Sequence, residues 1–235
     1  MEILYEDNHI IIVNKASGEI VQGDKTGDKP LVEILKDYIK SRDNKPGNVF
    51  MGVVHRLDRP VSGVVVFAKT SKALSRLNAM FASGDVHKTY WAISRNKPAE
   101  PQATLIHWIK SVERNNKSYA SLTPSKDAKE ARLAYRLIAS SDRYHLLEVR
   151  LMTGRKHQIR VQLSSVGCPV KGDLKYGDKR SNPDGSISLH ARNIRFVHPV
   201  SGKDIDVTAP VPADNLWQAL EQSVMNSDSV SNSQN

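Results

Sequence analysis

The segment His55–Gly63 holds the side chains of this sequence that are best suited to chemistry. It reads His-Arg-Leu-Asp-Arg-Pro-Val-Ser-Gly and places the carboxylate of Asp58 between the guanidinium groups of Arg56 and Arg59. An apolar run, Val64–Ala68, follows at once and predicts a buried strand. A carboxylate on a loop that feeds a strand is held by the scaffold and stays within reach of a ligand. The alternative interpretation is a surface ion pair of small energetic value.

The composition indicates a folded, basic protein. The chain has 235 residues, with 34 Lys and Arg against 25 Asp and Glu, which gives a formal charge of +9. Such an excess favours a polyanionic partner, either nucleic acid or an anionic membrane surface. No apolar run is long enough to span a bilayer, and the N-terminus has no signal-peptide pattern. The single cysteine, Cys168, excludes an internal disulfide and favours a cytoplasmic location.

The elements around the loop mix strands and helices without a regular βαβ alternation, which predicts an α+β fold. Gly63–Lys69 is predicted to form a strand. Ser71 is a candidate N-cap for a helix that ends at Gly84. The run Val86–Ser94 then predicts a further strand.

The second half of the chain is less regular. Residues 96–129 are polar and interrupted by prolines, so we expect short strands and loops there. Ile159 and Leu163 follow helical spacing and predict another helix. Residues 222–235 are rich in Ser and Asn and predict a disordered tail, which leaves residues 1–221 as the folded domain.

A second basic motif, Thr153–Arg160, lies at the start of that predicted helix. His157 and Arg160 are three residues apart and would share one face. Ile159 and Leu163 would lie on the other side, toward the core. Arg160 is therefore predicted to point away from the core, and the alternative is a solvated basic face.

Three more motifs complete the set: Lys88–Ala92 (Lys-Thr-Tyr-Trp-Ala), Gly172–Gly177 (Gly-Asp-Leu-Lys-Tyr-Gly) and Ser188–Ala191 (Ser-Leu-His-Ala). In their joint order and spacing, the motifs resemble those of the RluA-type pseudouridine synthases, which isomerise uridines of ribosomal and transfer RNA. The resemblance runs from about Ile3 to about Leu220. It implies a mixed, largely antiparallel β-sheet with flanking helices and a central RNA-binding cleft.

The resemblance also implies roles for four residues. Asp58 matches the catalytic aspartate, and Arg56 matches an arginine that helps to displace the target base and fill its place. Tyr90 matches the tyrosine that stacks on the uracil. Arg160 matches a basic residue that pairs with the catalytic carboxylate.

The reaction that these residues would carry out breaks the bond from N1 to C1′, turns the base, and joins C5 to C1′. Positive charge builds on the sugar, and a carboxylate can stabilise that charge, attack it or take a proton from the ribose. The sequence leaves all three roles open. The base must also be flipped out of the RNA stack, which costs a few kcal/mol.

The partner implied is structured RNA, either rRNA or tRNA, and we expect no cofactor, no metal, no membrane and no obligatory protein partner. Many relatives carry an N-terminal S4 RNA-binding domain, which we expect this chain to lack. Candidate phosphate contacts, any of which can instead be a solvated surface charge, are Lys69, Lys72, Arg76, Lys88, Arg155, Lys156 and Lys175.

Two departures from the family pattern affect the loop and its neighbour. Val61 stands where the family usually has Thr, which removes a hydroxyl from the loop. Lys15-Ala16 stands where Lys-Pro is common. A non-catalytic RNA-binding module is the alternative function. A hydrolase is disfavoured because the chain has no His-Glu-x-x-His and no Gly-x-Ser-x-Gly motif.

Overall fold

The computed structural model describes residues 1–232, with side chains described through residue 227. Within this range the chain divides into two compact units. The first consists of Met1–Lys88 and Ala191–Pro210, and the second of Thr89–His190 and the chain from Val211 onward. Each unit is therefore built from two separate stretches of the sequence. The boundary of a catalytic domain at residue 221 stays a prediction.

The described residues contain eleven strands and four α-helices, and none of these helices is long and apolar enough to cross a membrane. The strands are β1 Glu2–Glu6, β2 Ile10–Lys15, β3 Gly52–Val53, β4 Ser62–Ala68, β5 His87–Ser94, β6 Gln102–Val112, β7 Lys117–Ser121, β8 Lys129–Ser140, β9 His145–Leu151, β10 Leu189–Val197 and β11 Asp204–Thr208. The helices are α1 Leu31–Arg42, α2 Ser71–Ser83, α3 Gln158–Ser165 and α4 Asn215–Asn232. The α+β class and the largely antiparallel pairing are confirmed.

The first unit holds the strand order β1-β2-β4-β10, with β3 pairing β4 and β11 pairing β10. Strand β4 is buried along its whole length, as expected for an apolar run that is covered on both faces. The predicted strand Gly63–Lys69 is confirmed, with each end displaced by one residue. Helix α2 packs on this core through Ala73 and Leu77. Its N-cap is Thr70 rather than the predicted Ser71, because the Thr70 side chain accepts a hydrogen bond from the Ala73 N–H at 3.2 Å.

The second unit holds the order β5-β9-β8-β6-β7. The expectation of short strands and loops over residues 96–129 was wrong, because β6 alone is 11 residues long. Leu105, His107 and Ile109 of β6 are buried and alternate with exposed or half-buried positions. This two-residue period is easy to miss, because a histidine occupies one of the inward positions.

Helix α4 occupies most of the segment that was predicted to be a disordered tail. It starts at Asn215, and Trp217 and Leu220 are buried against Trp91 and Leu146 of the second unit. Val224 packs on the same cluster, four residues after Leu220, which keeps the helical period going beyond the predicted boundary. The last three residues of the predicted tail, 233–235, lie outside the described residues.

Candidate active site

The loop that leads into β4 alternates anchored and outward side chains. His55 is half-buried and Leu57 is buried, whereas Arg56 between them is exposed. Asp58, the next residue, is half-buried. Of the two predicted functional side chains, Arg56 is thus exposed and Asp58 keeps part of its surface accessible.

His55 anchors the start of this loop. Its Nε2 accepts a hydrogen bond from the Val66 N–H of β4 at 3.1 Å. Its ring stacks on Phe81 of α2, with ring centroids 4.9 Å apart and an interplanar angle of 23°. Burial, together with the charge of Lys88, lowers the pKa of His55 to about 3. The ring is therefore neutral at physiological pH and available as an acceptor.

Lys15 anchors the end of the loop. Its side chain is fully buried, and its ammonium donates to the carbonyl oxygens of Val61 at 2.6 Å and Arg59 at 3.1 Å. A third bond, at 2.9 Å, goes to the carbonyl of Ala16. A cation bonded to backbone carbonyls fixes the path of the chain, because each bond constrains a peptide plane rather than a flexible side chain.

The pKa of Lys15 falls to about 8, mainly because the ammonium is desolvated. The carboxylates of Glu19 and Asp58 act in the opposite direction and favour the charged form. Asp58 is therefore electrostatically coupled to the cation that holds its own loop.

The glycine that closes the loop is required by close packing. Gly63 has φ +113°, and a Cβ at this position would lie 2.3 Å from the carbonyl oxygen of Ala191. Val61, which replaces the family's usual Thr, is buried. Its apolar side chain fills that site without a hydroxyl that would need a partner.

The second arginine of the motif, Arg59, forms an ion pair of 2.6 Å with Asp28.

In the second unit, Arg160 is held by a bidentate ion pair. Its Nε donates to one Asp173 oxygen at 2.6 Å and its Nη2 to the other at 2.9 Å. Both side chains are buried, with 7% and 1% of their surface exposed. The guanidinium carbon also lies 5.0 Å from the centre of the Tyr176 ring. Such a fork-to-fork arrangement fixes the plane of the guanidinium as well as its position.

The surroundings of Arg160 correct two predictions. His157 is not part of α3, because it lies at the N-cap with φ +54° and so does not share a helical face with Arg160. The alternative of a solvated basic face is wrong as well, since the run Gln158–Leu163 is entirely buried. His157 instead bonds through Nδ1 to the Tyr176 hydroxyl at 2.7 Å, and that hydroxyl accepts the Ser118 N–H at 2.8 Å.

Tyr90 lies in β5, at the point where the strand changes from exposed to buried residues. It is 8% exposed. Tyr90 and Arg160 belong to the second unit, and Arg56 and Asp58 belong to the first.

Comparison with known proteins decides the family. The family model described as RNA pseudouridylate synthase matches residues 9–165. A tRNA pseudouridine synthase C of Vibrio parahaemolyticus is 34% identical over 94% of this chain and 93% of its own length. A ribosomal large subunit pseudouridine synthase D of Zymomonas mobilis is 34% identical over 91% of this chain and 70% of its own length. The chain belongs to the RNA pseudouridylate synthase family.

The fold agrees with this membership. The solved structure of human RNA pseudouridylate synthase domain containing 4 superposes with a TM-score of 0.77 at 23% identity, covering 95% of this chain and 93% of that one. The RluA-type resemblance and the enzyme class, an isomerase that forms pseudouridine in RNA, are confirmed.

Among the basic residues predicted to contact phosphate in this pseudouridine synthase, Lys72, Arg155 and Lys156 are exposed. Arg155 also donates through Nε to the Glu130 carbonyl at 2.9 Å. These three are placed as a phosphate contact requires, although the contact itself stays a prediction. Arg76 is likewise exposed, with Nη1 donating to the Pro199 carbonyl at 2.6 Å.

Three other predicted phosphate contacts have roles inside the fold. The ammonium of Lys69 bonds to Glu6 and to the Asp7 carbonyl, each at 2.5 Å. Lys88 is half-buried 5.2 Å from the Phe81 ring centre, and burial lowers its pKa. Lys175 donates to a backbone carbonyl of a neighbouring turn at 2.9 Å. Their basic character serves local structure, so their phosphate contacts are the least supported of the set.

The sequence reasoning missed the residues that hold the functional ones. Asp173 and Tyr176 lie in the motif Gly172–Gly177, of which only Lys175 is assigned a role from the sequence. Lys15 was noted only as part of a departure from Lys-Pro. A signal was available in each case: Lys15 ends an otherwise apolar strand, and an arginine on a buried helix needs a carboxylate.

Proposed function

We propose that this pseudouridine synthase modifies uridines of structured tRNA or ribosomal RNA, with Asp58 as its catalytic carboxylate. The two classes of RNA are those in the names of the relatives that match this chain over most of its length. The observation that carries the catalytic assignment is the loop itself. Its backbone is fixed at the start by His55 and at the end by Lys15, and the half-buried Asp58 lies between these anchors in the sequence.

Asp58 acts at the sugar of the target nucleotide. Breaking the N1–C1′ bond leaves positive charge on the ribose, and a carboxylate held close to C1′ lowers the energy of that state. Joining C5 to C1′ replaces the broken bond, and the proton that C5 loses is matched by the proton that N1 gains. The reaction thus balances without an oxidant, a reductant or an energy source, and the proposal includes no cofactor.

Arg56 and Tyr90 serve the flipped nucleotide. Arg56 is exposed and can enter the gap that the base leaves in the RNA stack. Tyr90 stacks on the extruded uracil, and such stacking offsets flipping by roughly 1–3 kcal/mol. Arg160 is the proposed basic group of the site, for which its permanent charge and its guanidinium plane, fixed by Asp173, are suited.

The net charge of +9 supports binding to a polyanion without a protein partner. The further proposal is that the chain acts alone in the cytoplasm, where a single buried cysteine remains reduced.

The test is pseudouridine mapping of tRNA and rRNA from cells with and without the protein. Positions that lose the modification in the deletion strain should regain it when the purified chain, without added cofactor or protein, is incubated with RNA from that strain. Loss and restoration at positions in one RNA class identify the substrate. Failure of the purified chain to restore any lost position would overturn the proposal that it acts alone. A deletion with unchanged tRNA and rRNA maps would overturn the proposed substrates.

A further inference from the structure

We propose that His55 is a positioning residue for pseudouridine formation, because its ring sets the direction in which Arg56 and Asp58 leave the loop. The inference rests on the proposed catalytic role of Asp58. His55 itself is not assigned any contact with the RNA. Its action is on the backbone that carries the two functional side chains.

The first observation is that His55 accepts a hydrogen bond from β4 just where the pairing of β4 with β3 ends. The short strand β3, Gly52–Val53, pairs with Phe67 and Ala68 of β4 and then ends. The next residue of β4, Val66, donates its N–H to His55 Nε2 at 3.1 Å. A buried strand N–H needs an acceptor, and here a side chain of the functional loop supplies it. The loop is thereby joined to the central strand at one fixed point.

The second observation is that the ring has little freedom to rotate. It stacks on Phe81 at 4.9 Å between centroids, and Lys88 places its ammonium 5.2 Å from the same Phe81 ring. The hydrogen bond fixes one edge of the imidazole and the stacking fixes its plane. Because Nε2 accepts, the proton of the neutral ring is assigned to Nδ1.

The third observation links this anchor to the functional side chains. Burial alternates along the loop, with His55 and Leu57 inward, Arg56 outward and Asp58 half-buried. Arg56 is the direct neighbour of His55 along the backbone, so the bond and the ring contact that hold His55 also limit the directions in which Arg56 can leave the loop. Misplacement of a catalytic group by about 1 Å can cost about 10²-fold in rate.

Two variants separate the acceptor from the ring. His55→Gln keeps an acceptor at a similar reach and loses the aromatic ring, whereas His55→Phe keeps the stacking ring and loses the acceptor. Val207→Ala is the control for stability, because Val207 packs partly buried on the core of the same unit from β11 and has no part in the bond or the ring contact of His55. Single-turnover rates at saturating RNA, RNA affinity and melting temperature are measured for each variant, with Asp58→Asn in parallel.

The expected pattern is a fall of about 10²-fold in the single-turnover rate of His55→Phe, with RNA affinity within about threefold of the parent. The single-turnover rate of His55→Gln should be at least about tenfold higher than that of His55→Phe. Val207→Ala should keep nearly the parent rate. The proposal is overturned if His55→Phe is as active as Val207→Ala, or if Gln and Phe variants lose activity equally and in step with melting temperature. An active Asp58→Asn would overturn the proposed function and this inference together, whereas an inactive Asp58→Asn beside an active His55→Phe would overturn only this inference.

Discussion

Lys15 in the first unit and Arg160 in the second are both buried cations beside motif residues, but they are held in different ways. Lys15 donates to three backbone carbonyls, and its pKa falls to about 8. Arg160 forms a bidentate pair with the buried carboxylate of Asp173. A neutral carbonyl fixes the course of a loop but compensates a charge poorly, whereas a carboxylate compensates the charge and orients the cation. One unit therefore fixes a backbone, and the other fixes a side chain.

The largest effect is expected from breaking the ion pair. Asp173→Ala takes the carboxylate away from a buried guanidinium and should lower the free energy of unfolding by about 3–5 kcal/mol in urea titrations. The double variant Arg160→Met/Asp173→Leu removes both charges and should recover most of that stability while staying inactive. A loss below about 1 kcal/mol in Asp173→Ala would mean that the pair does not hold Arg160.

A smaller loss is expected at the other cation. Lys15→Met leaves buried carbonyls of the loop without their donor, and each such group costs about 1–3 kcal/mol. Removal of a desolvated charge offsets part of this cost, so we expect a net loss of about 1–3 kcal/mol and a reduced turnover rate from the loosened loop. Lys25→Met, an exposed lysine in the same unit, is the control and should change stability by less than about 0.5 kcal/mol. Equal stability and equal turnover in the two variants would contradict the anchoring role of Lys15.

A further effect distinguishes the two cations by pH. The pKa of Lys15 is about 8 in the folded chain and 10.5 as a free side chain. Between these values the unfolded state binds more protons, so the contribution of Lys15 to the unfolding free energy rises with pH, by at most about 1.4 kcal/mol per pH unit. The parent should therefore gain stability relative to Lys15→Met from pH 8 to pH 10. Asp173→Ala should show no such trend against the parent, because an arginine stays charged throughout. If the unfolding free energies of the parent and of Lys15→Met change equally from pH 8 to pH 10, the lowered pKa of Lys15 is contradicted.

The same contrast shows what a sequence reveals. Asp58 and its strand were predictable, because the motif and the apolar run are adjacent in the chain. The bond from Lys15 to the Arg59 carbonyl joins residues 44 positions apart, and no local pattern carries that contact. Nothing local pairs Arg160 with Asp173 either, since the turn between them decides whether they meet.

The errors at the level of elements have a similar origin. Strand β6 was missed because the apolar Ile106 and Trp108 stand on its outward face, which hid the alternation with Leu105 and Ile109. Helix α4 extends past the predicted boundary because Val224 packs on a cluster that includes Trp91, far away in the sequence. In both cases tertiary burial outweighs the average polarity of the segment.

The central claim is that Asp58 is the catalytic carboxylate, and the most direct test is the single-turnover rate of Asp58→Asn on an RNA that the parent modifies. Asn keeps the shape of the side chain but is neither a nucleophile nor a strong base. We expect no detectable pseudouridine, with RNA affinity close to that of the parent. Asp28→Asn, an exposed carboxylate that pairs with Arg59 of the same loop, should retain the parent rate. An Asp58→Asn rate within about tenfold of the parent, equivalent to about 1.4 kcal/mol of barrier, would contradict the assignment.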